Sequence, residues 1–118
     1  KTCGEITIEY NRFEDAMHTL IDGAHLYTLG ANPGSSISKN YFIKSNNGAK
    51  WGGVYTDSGS AYFKIENNVF EETPNLWHVG QFSTHDMSAD NNYIDCEQNF
   101  VLRSKTNTAT IYLEKTII

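Results

Sequence analysis

Two segments of this 118-residue chain gather carboxylates, aromatic rings and imidazoles. One is Asp22-Gly-Ala-His25-Leu-Tyr27-Thr-Leu, the other Trp51-Gly-Gly-Val-Tyr55-Thr-Asp57-Ser-Gly. Asp57 is the leading acidic candidate, because it ends an alternating run beside Tyr55 and precedes a Ser-Gly turn. A carboxylate in that place could serve as acid, base or nucleophile in glycoside hydrolysis, which works with two carboxylates flanking the scissile bond. Asp also forms turns through bonds to its own backbone, so Asp57 and Asp22, the latter just before Gly23, each carry a structural reading as well. His25, His78 and the adjacent His85 and Asp86 add polar groups that could touch substrate. Tyr27, Tyr55, Trp51 and Trp77 could stack on the C–H faces of sugar rings or simply cover the protein surface. Asp57 and Asp22 are thus the catalytic candidates. Tyr55, Tyr27, His25, His78, Trp51, His85 and Asp86 are the substrate-binding ones.

Other chemistries lack their residues. The four histidines, His18, His25, His78 and His85, have no HExxH or CxxC companion, so no metal and no cofactor are expected. There is no Gly-Lys-Ser/Thr phosphate loop and no Gly-x-Ser-x-Gly elbow, and Gly52-Gly53 lacks dinucleotide spacing. A formal charge of −5 argues against a nucleic-acid partner. No apolar run approaches the roughly 20 residues of a membrane span. With neither a leader nor an initial Met, the chain reads as a mature or excised piece.

The elements that must position these residues are repeats. Ile8, Ile37, Ile65, Ala89 and Leu113 stand at the centre of similar segments, 29, 28, 24 and 24 residues apart. Three positions on stand Asn11, Asn40, Asn68, Asn92 and Thr116, and five on stand Phe13, Phe42, Phe70, Ile94 and Ile118. Each copy alternates with period two, so each is a strand. One copy cannot bury its own apolar face, so neighbours must stack. The expected fold is all-β: a right-handed parallel β-helix of about four to five turns, a single segment over residues 1–118. The Asn column reads as a ladder of amides bonded from turn to turn.

A second strand family registers on Leu26, Val54 and Val79, with a further copy near residues 100–104. Thr28, Thr56 and Gln81 then share the inward face, while Tyr27, Tyr55, Asp57 and His78 point outward with His25, Leu29, Gly53, Gly80 and Phe82. The outward face of the first family, with Lys39, Lys64, Glu66 and Asp90, reads as an ordinary solvated surface. Ala31-Asn-Pro-Gly34 and Asn46-Asn-Gly48 read as turns, and a short helix over residues 16–21 competes with extended structure. Three turns at about 4.8 Å each put Cys3 and Cys96 about 14 Å apart, beyond disulfide reach.

The run Asp22-Gly-Ala-His-Leu-Tyr-Thr-Leu-Gly-Ala-Asn-Pro-Gly34, then Gly52-Gly-Val-Tyr-Thr-Asp-Ser-Gly-Ser60 and Ile65-Glu-Asn-Asn-Val-Phe70, resembles bacterial right-handed parallel β-helix proteins of the pectate-lyase-like superfamily. Within it, the chain looks most similar to β-helix glycoside hydrolases of the family 141 kind. The resemblance covers roughly residues 20–95. It implies a secreted or cell-surface bacterial protein acting on a polysaccharide or oligosaccharide, with Asp22 and Asp57 at the acidic positions. Ala24-His25 stands where those segments usually have a second Gly and a small residue. In the register above, a straight strand would hold Asp22 about 23 Å from Asp57, whereas paired glycosidase carboxylates lie about 5–9.5 Å apart. A sharp bend near Gly23 would bring them together; Asp57 with Asp86 or His85 is the other pairing. The competing functions are a non-catalytic carbohydrate-binding or adhesin- and tailspike-like surface β-helix, and a polysaccharide lyase, which needs basic residues on the cleft. Open strand edges at both ends lead to the expectation of a larger β-helix or end-to-end stacking.

Overall fold

The computed structural model describes residues 3–45, 51–80, 82–102 and 110–114, with side chains described as far as residue 95 and again at 110–113. It is a parallel β-solenoid. β1 (Thr7–Glu9), β4 (Ala31–Ser38), β7 (Ala61–Glu66), β9 (Met87–Asp90) and β11 (Ile111–Glu114) form one sheet in that order. In the second sheet, β2 (Arg12–Ala16) and β5 (Tyr41–Ser45) pair along the first half of β8 (Val69–Val79). β3 (Leu26–Thr28) and β6 (Val54–Thr56) pair along its second half, and β10 (Tyr93–Leu102) lies on its other side. All these pairs are parallel. The solenoid has about three turns, fewer than the four to five expected; residues 103–109 lie outside those described.

The first repeat family is in the register its motif implies. Ile8, Ile37, Ile65, Ala89 and Leu113 stack directly, as do Phe13, Phe42, Phe70 and Ile94. Burial follows alternation: Ile37, Ile65, Ala89, Phe42 and Phe70 are fully enclosed. Phe13, Phe42 and Phe70 stack face to face, with centroids 4.8 and 4.6 Å apart and planes within 9°. A parallel rung spacing of about 4.8 Å is what sets that separation.

At the corner between the two sheets, Asn40, Asn68 and Asn92 are buried. The backbone and side-chain N–H groups of each Asn donate to Oδ1 of the next, at 2.9–3.1 Å from Asn11 up to Asn92. The same side-chain amides of Asn40, Asn68 and Asn92 also donate to the carbonyls of Ile8, Ile37 and Ile65. Tyr10, Lys39, Asn67 and Asn91, one before each ladder Asn, take positive φ, which turns the chain sharply from one sheet to the other. The ladder satisfies the backbone groups that this corner would otherwise bury unpaired.

Several local expectations change. Residues 31–34 lie within β4 rather than in a turn, absorbed by a bulge between Ala31 and Ser35. Residues 16–21 hold no helix. The third copy of the second family is set by Trp77, which pairs with Val54, and not by Val79, which pairs with Thr56. The slip is two residues, so inward and outward parity survive. Its cause is the length of the corner. Phe13 to Leu26 leaves the strands in a loop over residues 17–25 and Phe42 to Val54 does so at least over residues 51–53, but Phe70 to Trp77 runs without a break inside β8. The loss of that loop is also why the repeat shortens from 28 residues to 24. Gln81 and the Asn46-Asn47-Gly48 turn lie outside the described residues. Cys3 is free and exposed. Among the described residues no helix is long and apolar enough to cross a membrane.

Candidate functional site

The outward column of β3, β6 and β8 is Tyr27, Tyr55 and His78, directly paired. Tyr27 meets Tyr55 edge to face at 5.0 Å, and Tyr55 meets His78 edge to face at 4.8 Å. Trp51 lies over both, 5.8 Å from Tyr55 and 4.4 Å from His78. His78 is therefore outward yet wholly buried, roofed by Trp51, and cannot be reached by substrate as expected. Tyr55 is nearly as enclosed, whereas Tyr27 remains 45% exposed. Trp77 points inward, is fully buried and donates to the Thr56 hydroxyl at 2.9 Å, which removes it from any sugar-stacking role.

Asp57 follows β6 directly. The Tyr27 hydroxyl donates to its Oδ2 at 2.5 Å, and the Ser58 hydroxyl donates to Oδ1 at 3.3 Å. Partial burial pushes the Asp57 carboxyl up; hydrogen bonds from Tyr27, from the Ser58 backbone and hydroxyl and from Tyr55 outweigh it and hold the group below the usual carboxylate range. The bond to Asp57, then partial burial, hold the Tyr27 phenol protonated well above its ordinary range. The carboxylate owes its room to Gly80 on the next rung. A Cβ at Gly80 would stand 2.5 Å from Asp57 Oδ1 and 2.7 Å from its Cα.

Asp22 belongs to the same neighbourhood. Residues 17–25 contain no strand, so the straight-strand separation from Asp57 does not apply. The chain bends back and Asp22 Oδ1 accepts a 3.1 Å bond from the Trp51 indole. His25 turns away from this cluster. Its ring meets Phe42 edge-on at 5.9 Å, and its Nδ1 lies 3.4 Å from the Ser45 hydroxyl. Burial pulls its imidazole down, favouring the neutral form, against bonds from the backbone of Ile43 and Lys44.

His85 and Asp86 lie elsewhere. Ala61 and His85 bridge the first sheet, so the two residues stand where the chain enters β9. His85 Nδ1 is 2.6 Å from Asp86 Oδ2, and the His85 ring packs edge-on against Tyr62 at 5.3 Å. Asp86 is engaged by His85 and lines a groove of about 630 Å³ on the outward face of the first sheet, whose lining does not include Asp57. That groove was missed in the sequence. Its lining includes Ser36, Tyr62, Lys64, Glu66, Ser88 and Tyr112. The available signal was the alternation of Tyr62, Lys64 and Glu66 to one side of the strand copy; Lys64 and Glu66 were read above as ordinary solvated surface, and Tyr62 was not singled out. No group of three or more His, Cys, Asp or Glu among the described residues could hold a metal ion. No protein-family model, curated protein or solved structure matches the chain.

Proposed function

We propose that the chain is a carbohydrate-active β-solenoid, secreted or displayed at a cell surface, that holds a polysaccharide on the face carrying Tyr27 and Asp57. The observation that carries this reading is the Tyr27–Asp57 pair: a half-exposed ring whose hydroxyl is fixed by an ionised carboxylate. The ring supplies an apolar platform and the remaining carboxylate lone pairs accept sugar hydroxyls. The resemblance of the Asp22 and Asp57 segments to β-helix glycoside hydrolases supports a glycan as the ligand class.

Holding is favoured over cutting. Asp57 is tied to Tyr27 and Ser58, and its downward shift removes it as a general acid, which needs a carboxyl raised toward neutrality, while leaving it the role of the ionised partner. Hydrolysis remains the second reading because Trp51 brings Asp22 to the same aromatic cluster, so two carboxylates serve one platform. A glycan array followed by a reducing-end release assay separates the two. Binding without release is expected, weakened about tenfold by Tyr27→Ala, the scale of one stacking contact. Release by the parent that Asp57→Asn abolishes would replace holding by hydrolysis. Absence of any glycan signal would remove both readings.

A further inference from the structure

The groove on the first sheet shares none of its lining with the Tyr27–Asp57 face. It crosses four rungs, from Ser36 on β4 over Tyr62, Lys64 and Glu66 on β7 and Ser88 on β9 to Tyr112 on β11. Its length therefore follows the solenoid axis for about 14 Å. Tyr62 and Tyr112 are 41% and 52% exposed. They stand two rungs and two residues apart, about 12 Å between backbones by strand geometry. That is close to the repeat of two linked pyranose rings. Ser36, Lys64, Ser88 and Tyr112 form one column, with Lys64 and Ser88 on the span between the two rings and Ser36 one rung beyond Tyr62. Lys64 makes no ion pair with a described residue.

Tyr62 is braced as a platform. Asp86 holds His85, and His85 holds the Tyr62 ring edge-on, with planes 88° apart. A ring fixed beforehand loses less freedom when a ligand covers it. Glu66 and Asp86 offset the charge of Lys64, so the lining is polar without one dominant sign, and an anionic chain would meet two carboxylates. An extended peptide across the middle of the groove is also disfavoured, because the backbone groups of β7 and β9 are spent on the rungs and the sheet's edge among the described strands is reached only at β11.

We propose that this groove is a separate binding site for a linear, uncharged oligosaccharide lying along the solenoid axis. One pyranose ring covers Tyr62 and another Tyr112; hydroxyls between them meet Lys64 and Ser88, with Ser36 and Glu66 flanking the span. His85 is a positioning residue, acting through Tyr62.

The test titrates the full chain with cellotetraose, xylotetraose and mannotetraose, their disaccharides, and tetragalacturonate as the acidic probe, read by amide NMR shifts. At least one neutral tetrasaccharide should move signals on β4, β7 and β9. Its disaccharide, too short to reach both rings, should bind roughly tenfold more weakly, the scale of one aromatic contact. Tyr62→Ala and Tyr112→Ala should each weaken the binding read at these signals by a similar factor, while Tyr93→Ala, at a similarly exposed tyrosine outside both faces, leaves it as in the parent. His85→Ala should weaken binding and His85→Phe restore it, a rescue that loss of folding would not show. The proposal is overturned if no neutral tetrasaccharide binds, if both tyrosine truncations bind normally, or if tetragalacturonate binds most tightly. Loss of binding in Tyr27→Ala alone would assign the ligand to the other face and leave the function proposed there standing.

Discussion

The Asn corner and the Tyr27–Asp57 face are built on the same rungs and obey opposite rules. Along the corner, each residue is satisfied by its own copy one turn away: Asn to Asn, Phe on Phe. Along the face, neighbours in a column differ. Tyr27, Tyr55 and His78 share one column, and Asp57 is followed on the next rung by Gly80. Identity along a column builds the coil. Change along a column, at constant parity, leaves unlike groups side by side, and only there can a phenol meet a carboxylate or an indole roof an imidazole.

The largest test of this contrast is on the corner. Asn68→Ala removes the acceptor for the Asn40 backbone N–H and both donors that serve the Ile37 carbonyl and Asn92. Two buried backbone groups of the preceding turn, the Asn40 N–H and the Ile37 carbonyl, lose partners at about 1–3 kcal/mol each, so a loss of about 3 kcal/mol or more is expected in chemical denaturation. Asn11 is the control: it lies in the same column but is exposed, and Asn40 Oδ1 keeps the Asn11 backbone donor when the side chain is cut. Asn11→Ala should cost below about 1 kcal/mol. Equal losses at the two positions would mean that the ladder is not what holds the corner.

A smaller effect is expected on the face. Gly80→Ala places a Cβ against the Asp57 backbone, not against a flexible side-chain end alone. Overpacking of this kind costs about 1–3 kcal/mol. It should also displace Asp57 from Tyr27, which a shift of the Tyr27 ring signals would report. An alanine tolerated with those signals unchanged would show that the rungs spread at no cost, and that the glycine is incidental to the acidic group.

How legible each region was follows from the same rule. The Ile, Asn and Phe columns were readable because repetition at fixed offsets is itself the signal, and the Asn ladder appears bond for bond. Alternation also placed Tyr27, Tyr55 and His78 on one face. It could not say that Trp51, arriving from a loop, would bury His78, because that contact joins residues 27 apart with no shared period. The slip from Val79 to Trp77 has a related cause: the corner loops of the first two turns are missing from β8, so a spacing learned from two copies failed on the third. The groove stayed hidden because its two aromatic ends, Tyr62 and Tyr112, stand in different columns two rungs apart, where no repeat relates them.

The smallest effect is the most specific to the face. Asp57 is held below the usual carboxylate range when folded, so its contribution to stability is present above the unfolded value of about 3.9 and lost as pH falls through the folded one. Tyr27 is shifted upward, so its contribution is present below about 10 and lost only as pH rises through the higher folded value. Tyr27→Phe takes away one bond to the carboxylate but leaves those from Ser58 and Tyr55, so the Asp57 midpoint should rise part of the way and the acid limb flatten slightly. Asp57→Asn should bring the Tyr27 midpoint down toward about 10. Side-chain carboxyl and phenol carbon signals followed across pH give both midpoints. A parent Tyr27 that already titrates near 10, unmoved by Asp57→Asn, would dissolve the pair and with it the distinction between this face and any exposed patch of tyrosine. An upward-shifted Tyr27 that falls in Asp57→Asn would show two unlike groups, brought one rung apart by the repeat, acting on each other's charge.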